Sequence, residues 1–65
     1  MPWSAGEFPR SMVHLPPPVR SKAVEIANAL LAEGYEEGRA IRIAVAQARR
    51  WVRRREAESA EEERA

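Results

Sequence analysis

Residues 19–33 read VRSKAVEIANALLAE, Gly34-Tyr35 follow, and residues 36–55 read EEGRAIRIAVAQARRWVRRR. This stretch decides the fold. At about 100° per residue, Val19, Ala23, Ile26 and Leu30 share one stripe, and Val24, Ala27 and Leu31 widen it. A stripe that broad meets more than one neighbour. Val19, Ala23, Ile26 and Leu30 are therefore assigned to the second helix, and Val24 and Leu31 to the N-terminal segment. In residues 36–55 the apolar stripe is Ile41, Ala44, Val45, Ala48, Trp51 and Val52. Gly34 sits where a helix closes on a left-handed residue, and so short a connection makes the two helices antiparallel neighbours. Ala44 and Ala48, set against Ala23 and Ala27, let the helices approach closely. The expected helices run from about Pro18 to Glu33 and from about Glu36 to Arg55.

Upstream, residues 1–18 hold all five prolines: Pro2, Pro9, Pro16, Pro17 and Pro18. Ser4 and Glu7 have capping-box spacing, and Pro9 suits a first helical turn. Phe8, Met12 and Leu15 recur at about one-turn intervals. One or two helical turns over residues 3–15 are expected, laid across the hairpin. The triple proline ends that element and presets the next helix. The fold class is all-α: an antiparallel two-helix hairpin with a short N-terminal helical segment packed against it. Its expected core is Trp3, Phe8, Met12, Leu15, Val19, Ile26, Leu30, Ile41, Val45, Ala48, Trp51 and Val52.

Residues 1–55 form one small helical unit, and residues 56–65, EAESAEEERA, an acidic tail. The tail has no apolar stripe, and its glutamates lie at the unfavourable end of a helix dipole. Fraying or disorder is expected there.

Composition narrows the function classes. The chain has 65 residues, no cysteine and one histidine, His14. Disulfides and thiolate metal sites are excluded, and one imidazole among scattered carboxylates is a poor zinc site. No metal and no cofactor are expected. No run of ~18 apolar residues exists to span a membrane, nor does the start have a signal-peptide pattern; a cytoplasmic protein is expected. His14 stands among prolines without a serine or acid arranged to work with it, so no catalytic residues, no small-molecule substrate and no enzyme activity are expected.

The most conspicuous feature is a basic arc. Arg39, Arg42, Arg49, Arg50, Arg53 and Arg54 fall on the side of the second helix opposite its apolar stripe, with Ile43 among them. Arginine forks onto carboxylate or phosphate bidentately. Three readings stand together: a solvated face, a protein interface in which Ile43 is the apolar contact, and a nucleic-acid surface. Glu36, Glu37 and the tail glutamates oppose phosphate approach, so a protein partner or self-association ranks above nucleic acid. A helix-turn-helix reading is weaker, since recognition helices read bases near their N-termini, here acidic. Trp51 beside Arg50 offers a stacking surface, but core packing is the preferred role for both tryptophans.

A set of motifs also points to a family: Met1-Pro2-Trp3-Ser4; Phe8-Pro9 with Ser11-Met12; Leu15-Pro16; Val19-Arg20 with Lys22-Ala23; Glu25-Ile26-Ala27-Asn28-Ala29; Glu33-Gly34-Tyr35; and Glu37-Gly38-Arg39-Ala40-Ile41, closing on Ala44, Ala48 and Trp51. They resemble the N-terminal module of the YdaT-like bacterial proteins. More distantly the pattern is similar to ChaB-like proteins, although the inter-helix connection is shorter here. The resemblance implies a compact helical bacterial accessory protein, stress-related in role, and supplies no catalytic residues.

Overall fold

The computed structural model describes residues 3, 4 and 6–64; Met1, Pro2, Ala5 and Ala65 lie outside the described residues, and with them the outer ends of both expected units. A single 3-10 turn, Arg10–Met12, precedes two α-helices, α1 at Pro17–Ala32 and α2 at Glu37–Arg64. No strand occurs among the described residues. Pro18 near the start of α1 lines a groove with Val52 and Ser59 of α2, so the helices run antiparallel.

Each helix end has a local cause. Pro16 caps α1 in an extended conformation, with Pro17 and Pro18 filling the first positions, where a missing N–H costs nothing. At the other end Gly34 takes φ 99°. The Gly34 N–H then donates to the Leu31 carbonyl at 3.0 Å and the Tyr35 N–H to the Leu30 carbonyl at 3.1 Å. That pair of bonds is a Schellman closure, which satisfies carbonyls a helix end would leave bare. α2 opens on Glu36, whose carboxylate accepts the Gly38 N–H at 2.9 Å. Glutamate is not a preferred cap, but its charge also opposes the dipole at this end.

The N-terminal segment is less helical than its sequence suggests. Ser4 and Glu7 close a turn through reciprocal backbone bonds, Ser4 N–H to the Glu7 carbonyl at 2.7 Å and Glu7 N–H to the Ser4 carbonyl at 3.3 Å. The Ser4 hydroxyl also accepts the Glu7 N–H at 3.2 Å, so half of the expected capping box is present. Helical structure is then confined between two prolines. Pro9 holds ψ 143° before Arg10, and Pro16 disfavours the helical region for Leu15.

The segment is fixed to α1 by Asn28. The Asn28 amide nitrogen donates to the Trp3 carbonyl at 2.9 Å, and its amide oxygen accepts the Trp3 N–H at 3.3 Å. One side chain thereby imitates the neighbouring strand that Trp3 lacks. Asn28 is buried, and both halves of its amide are satisfied. Val24, one turn earlier, is also buried, whereas Leu31, assigned with it to the N-terminal segment, is only half-buried.

Alanine makes the helix–helix seam. Ala23 and Ala27 of α1, and Ala40, Ala44 and Ala48 of α2, are fully buried. Met12, Leu15 and Val19 close the core from the N-terminal side, with Trp3, Phe8, Ile26, Ile41, Val45 and Val52 half-buried against it. Two residues expected in the core are not there. Trp51 is 37% exposed and Leu30 is only half-buried. By spacing both face the seam direction, but Leu30 lies in the last turn of α1 and Trp51 borders an open cleft between the helices.

α2 also passes the boundary expected after Arg55 and continues as helix to Arg64. Residues 56–64 contain neither Gly nor Pro, and Ala57, Ala60 and the glutamates are good helix formers. Their side chains through Glu63 are exposed. At 1.5 Å per residue a helix of 28 residues accounts for the long dimension of 43 Å. α1, with 16 residues, covers little more than half of it. The radius of gyration, 13.1 Å, exceeds the roughly 11 Å of a compact chain this long. The C-terminal third of α2 is a bare rod.

Candidate interaction surface

The side of α2 facing away from α1 carries the arginine arc. Arg39, Arg42, Arg49, Arg50, Arg53 and Arg54 are all exposed. Ile43, expected among them as a surface contact or a simply exposed residue, is half-buried. Among the described residues the sole ion pair is Lys22 with Glu25 at 3.3 Å, local to α1. No described glutamate pairs with the arc. The tail glutamates extend its line along α2 instead of folding over it.

At one edge of the arc a cleft forms where α1 meets α2. It is lined by Lys22 and Ile26 of α1 and by Gln47, Arg50, Trp51 and Arg54 of α2. Lys22 lies 4.4 Å from the centre of the Trp51 ring, and the Arg55 guanidinium 5.0 Å. Such contacts contribute about 0.5–1 kcal/mol at exposed sites. They hold Trp51 in place where packing does not. They also occupy its surroundings, so a base stacking on Trp51 has to compete with the cations there.

Sequence reasoning missed Lys22 and Arg55 as members of this neighbourhood. The signal was available: the register that sets Ala23 against Ala48 also brings Lys22 level with Trp51. Two further cation–aromatic pairs brace other parts of the surface, Arg20 over Phe8 at 4.6 Å and Arg39 over Tyr35 at 5.7 Å. The Arg20 guanidinium also donates to the Val13 carbonyl at 3.3 Å.

His14 is exposed. Among the described residues no group of three metal-ligating side chains converges. No described helix is long and apolar enough to cross a membrane. What the surface offers is guanidinium groups on a rigid helix, an aromatic edge and a shallow cleft.

In class, the chain is a small all-α hairpin module with a basic outer face. Compared with known proteins, it is 56% identical over 52 residues to the uncharacterised protein YdaT of Bacillus subtilis (strain 168), a match that takes in 80% of this chain. The same match covers 35% of YdaT, so the chain spans about a third of that relative's length. The likeness to YdaT-like proteins is therefore that of a module. No family model matches the chain, so the more distant likeness to ChaB-like proteins rests on the sequence pattern alone. No solved structure matches it either.

Proposed function

We propose that the chain is a non-enzymatic helical module that binds an acidic protein surface through the arginine face of α2. The observation that carries this reading is that six arginines stand exposed on one helix face with no ion pair inside the described chain. Exposed, fork-shaped donors on a rigid helix suit carboxylates well. The cleft beside Arg50 and Arg54 is lined by Lys22, Ile26, Gln47 and Trp51 and contains no carboxylate.

A nucleic-acid partner is the second reading, favoured by the same unpaired guanidinium groups. The charge at both ends of the face weighs against it. Glu36 and Glu37 precede Arg39, and Glu56, Glu58, Glu61, Glu62 and Glu63 follow Arg55 on the same rod. A phosphate backbone running along α2 meets carboxylates at either end, whereas a protein partner can match a surface of mixed sign.

Titration of a fluorescent glutamate-rich peptide, and separately of labelled duplex DNA and RNA, distinguishes the two at about 0.15 M salt, where the Debye length is about 8 Å. The protein reading expects peptide binding that is lost in the triple variant Arg42→Ala, Arg49→Ala, Arg53→Ala. Binding of DNA or RNA tighter than about 1 μM, with a log–log salt slope near −0.9 per phosphate engaged, overturns it.

A further inference from the structure

We propose that the acidic surface recognised by the arginine face is the tail of a second copy of this chain, bound with its α2 antiparallel to the first. This inference rests on the reading of that face as a protein-binding surface.

Residues 49–55 hold five arginines and residues 56–63 five glutamates, on one continuous helix. A parallel pair sets Arg50 on Arg50 and Glu61 on Glu61. An antiparallel pair centred near residue 56 does the reverse. Arg54 then faces Glu58 of the second copy, and Arg50 faces Glu61 of the second copy. Two-fold symmetry repeats each contact.

These positions also share a face. Gln47, Arg50, Arg54, Glu58 and Glu61 recur at intervals of three or four residues and form one stripe along α2. Its basic end is the cleft where Gln47, Arg50, Trp51 and Arg54 meet Lys22 of α1. Its acidic end is the bare rod. Each copy therefore presents a basic cleft and an acidic helix on one line, in the order that self-complementation needs.

Within one chain these charges have no good alternative. Arg54 and Glu58 are four residues apart, but with arginine first, which is the weaker orientation for a helical pair; no such pair forms. Glutamates near the end of α2 also oppose the dipole of their own helix, and cations of a second copy offset that. The contact spans residues 50–61, about 20 Å of helix. That is short for a protein interface, so the dimer is reversible and salt-sensitive.

Sedimentation equilibrium of the whole chain tests this at about 0.01 M and about 1 M salt, where the Debye length falls from about 30 to about 3 Å. The expected result is a monomer–dimer equilibrium whose dissociation constant rises at least tenfold at the higher salt. Arg50→Glu with Arg54→Glu should be monomeric, and so should Glu58→Arg with Glu61→Arg, each with helical circular dichroism retained. An equimolar mixture of the two should form a heterodimer, because every reversed charge again meets its opposite. All four substitutions in one chain should restore the homodimer. A wild-type chain that stays monomeric at low salt up to about 1 mM, a weak-interaction concentration, overturns the proposal. So does a mixture that associates no better than its components. If the chain is monomeric yet still binds the glutamate-rich peptide, the dimer is wrong and the acidic-partner reading stands; if it does neither, both are wrong.

Discussion

Asn28→Ala is the substitution that probes the N-terminal clamp most directly. It removes the two hydrogen bonds, at 2.9 and 3.3 Å, that Asn28 makes with the Trp3 backbone. Each is worth about 1 kcal/mol net, and leaving a buried partner unsatisfied costs more. Against this, alanine is the better helix former, by about 0.6 kcal/mol. The difference is a destabilisation of about 1–2 kcal/mol. With 65 residues and an unfolding entropy of about 2.1 cal/mol/K per residue, each kcal/mol lowers Tm by about 7 °C. The expected fall is then about 7–15 °C.

Circular dichroism melts measure that fall, and fluorescence locates it. In a Trp51→Phe background only Trp3 emits, so detachment of the segment appears as a red shift before global melting. Asn28→Asp is the informative companion. A carboxylate can still accept the Trp3 N–H, but it cannot donate to the Trp3 carbonyl, so it should rescue little. An Asn28→Ala protein as stable as the parent, with Trp3 emission unchanged, would refute the clamp and leave helix propensity as the only effect of residue 28.

The helix seam and its end give two more predictions. Ala44→Leu places a branched side chain where Ala44 is fully buried between closely spaced helices. It should cost about 1–3 kcal/mol through overpacking, seen as a lower denaturant midpoint, whereas Ala46→Leu on the exposed side should be nearly neutral. Leu30→Ala should cost under about 2 kcal/mol, below most buried leucines, because Leu30 is only half-buried at the closing turn; a larger loss in urea unfolding would place Leu30 in the core after all.

Much of this fold was legible because helical periodicity reports direction well. The 3.6-residue repeat identified the seam alanines at 23, 27, 44 and 48, and Gly34 marked the closing turn through the one backbone region that favours glycine. Periodicity says nothing of axial coverage. Leu30 and Trp51 lie on the correct side of their helices, yet Leu30 falls in the last turn of α1 and Trp51 at the mouth of an open cleft beside Lys22 and Ile26, so neither is covered. The longer α2 was itself hidden, since a lack of apolar stripe and an adverse dipole argued for fraying while nothing in residues 56–64 breaks a helix. Asn28 was out of reach for another reason. A buried amide pairing with backbone 25 residues away has no periodic signature, and in sequence it resembles any polar residue on the flank of a helix. The surface divides the same way: the angular position of the arginines followed from their spacing, but their lack of ion pairs and the presence of Lys22 beside Trp51 needed the packed hairpin.

The division of labour within α2 follows from the alanine seam. Alanines let two backbones approach closely but bury little area each, so a chain this small needs every core contact near the seam and can stabilise itself little elsewhere. The N-terminal segment supplies the missing apolar bulk from the other side through Met12 and Leu15, both buried, and Asn28 holds it there. Because that closure lies on α1 and the seam, the outer face of α2 is left with no part in folding. Its arginines make no described ion pair, and the side chains of α2 from Arg53 to Glu63 are exposed, with only the start of α1 at Pro18 beside them. Charge on that face is therefore unconstrained by the fold. Substitutions there should change association without changing unfolding, whereas substitutions at Asn28 or Ala44 should do the opposite. That independence is what allows a module with so small a core to present five arginines and five glutamates in succession on one helix. A surface built this way is better suited to a partner of matching charge order than to one of uniform charge.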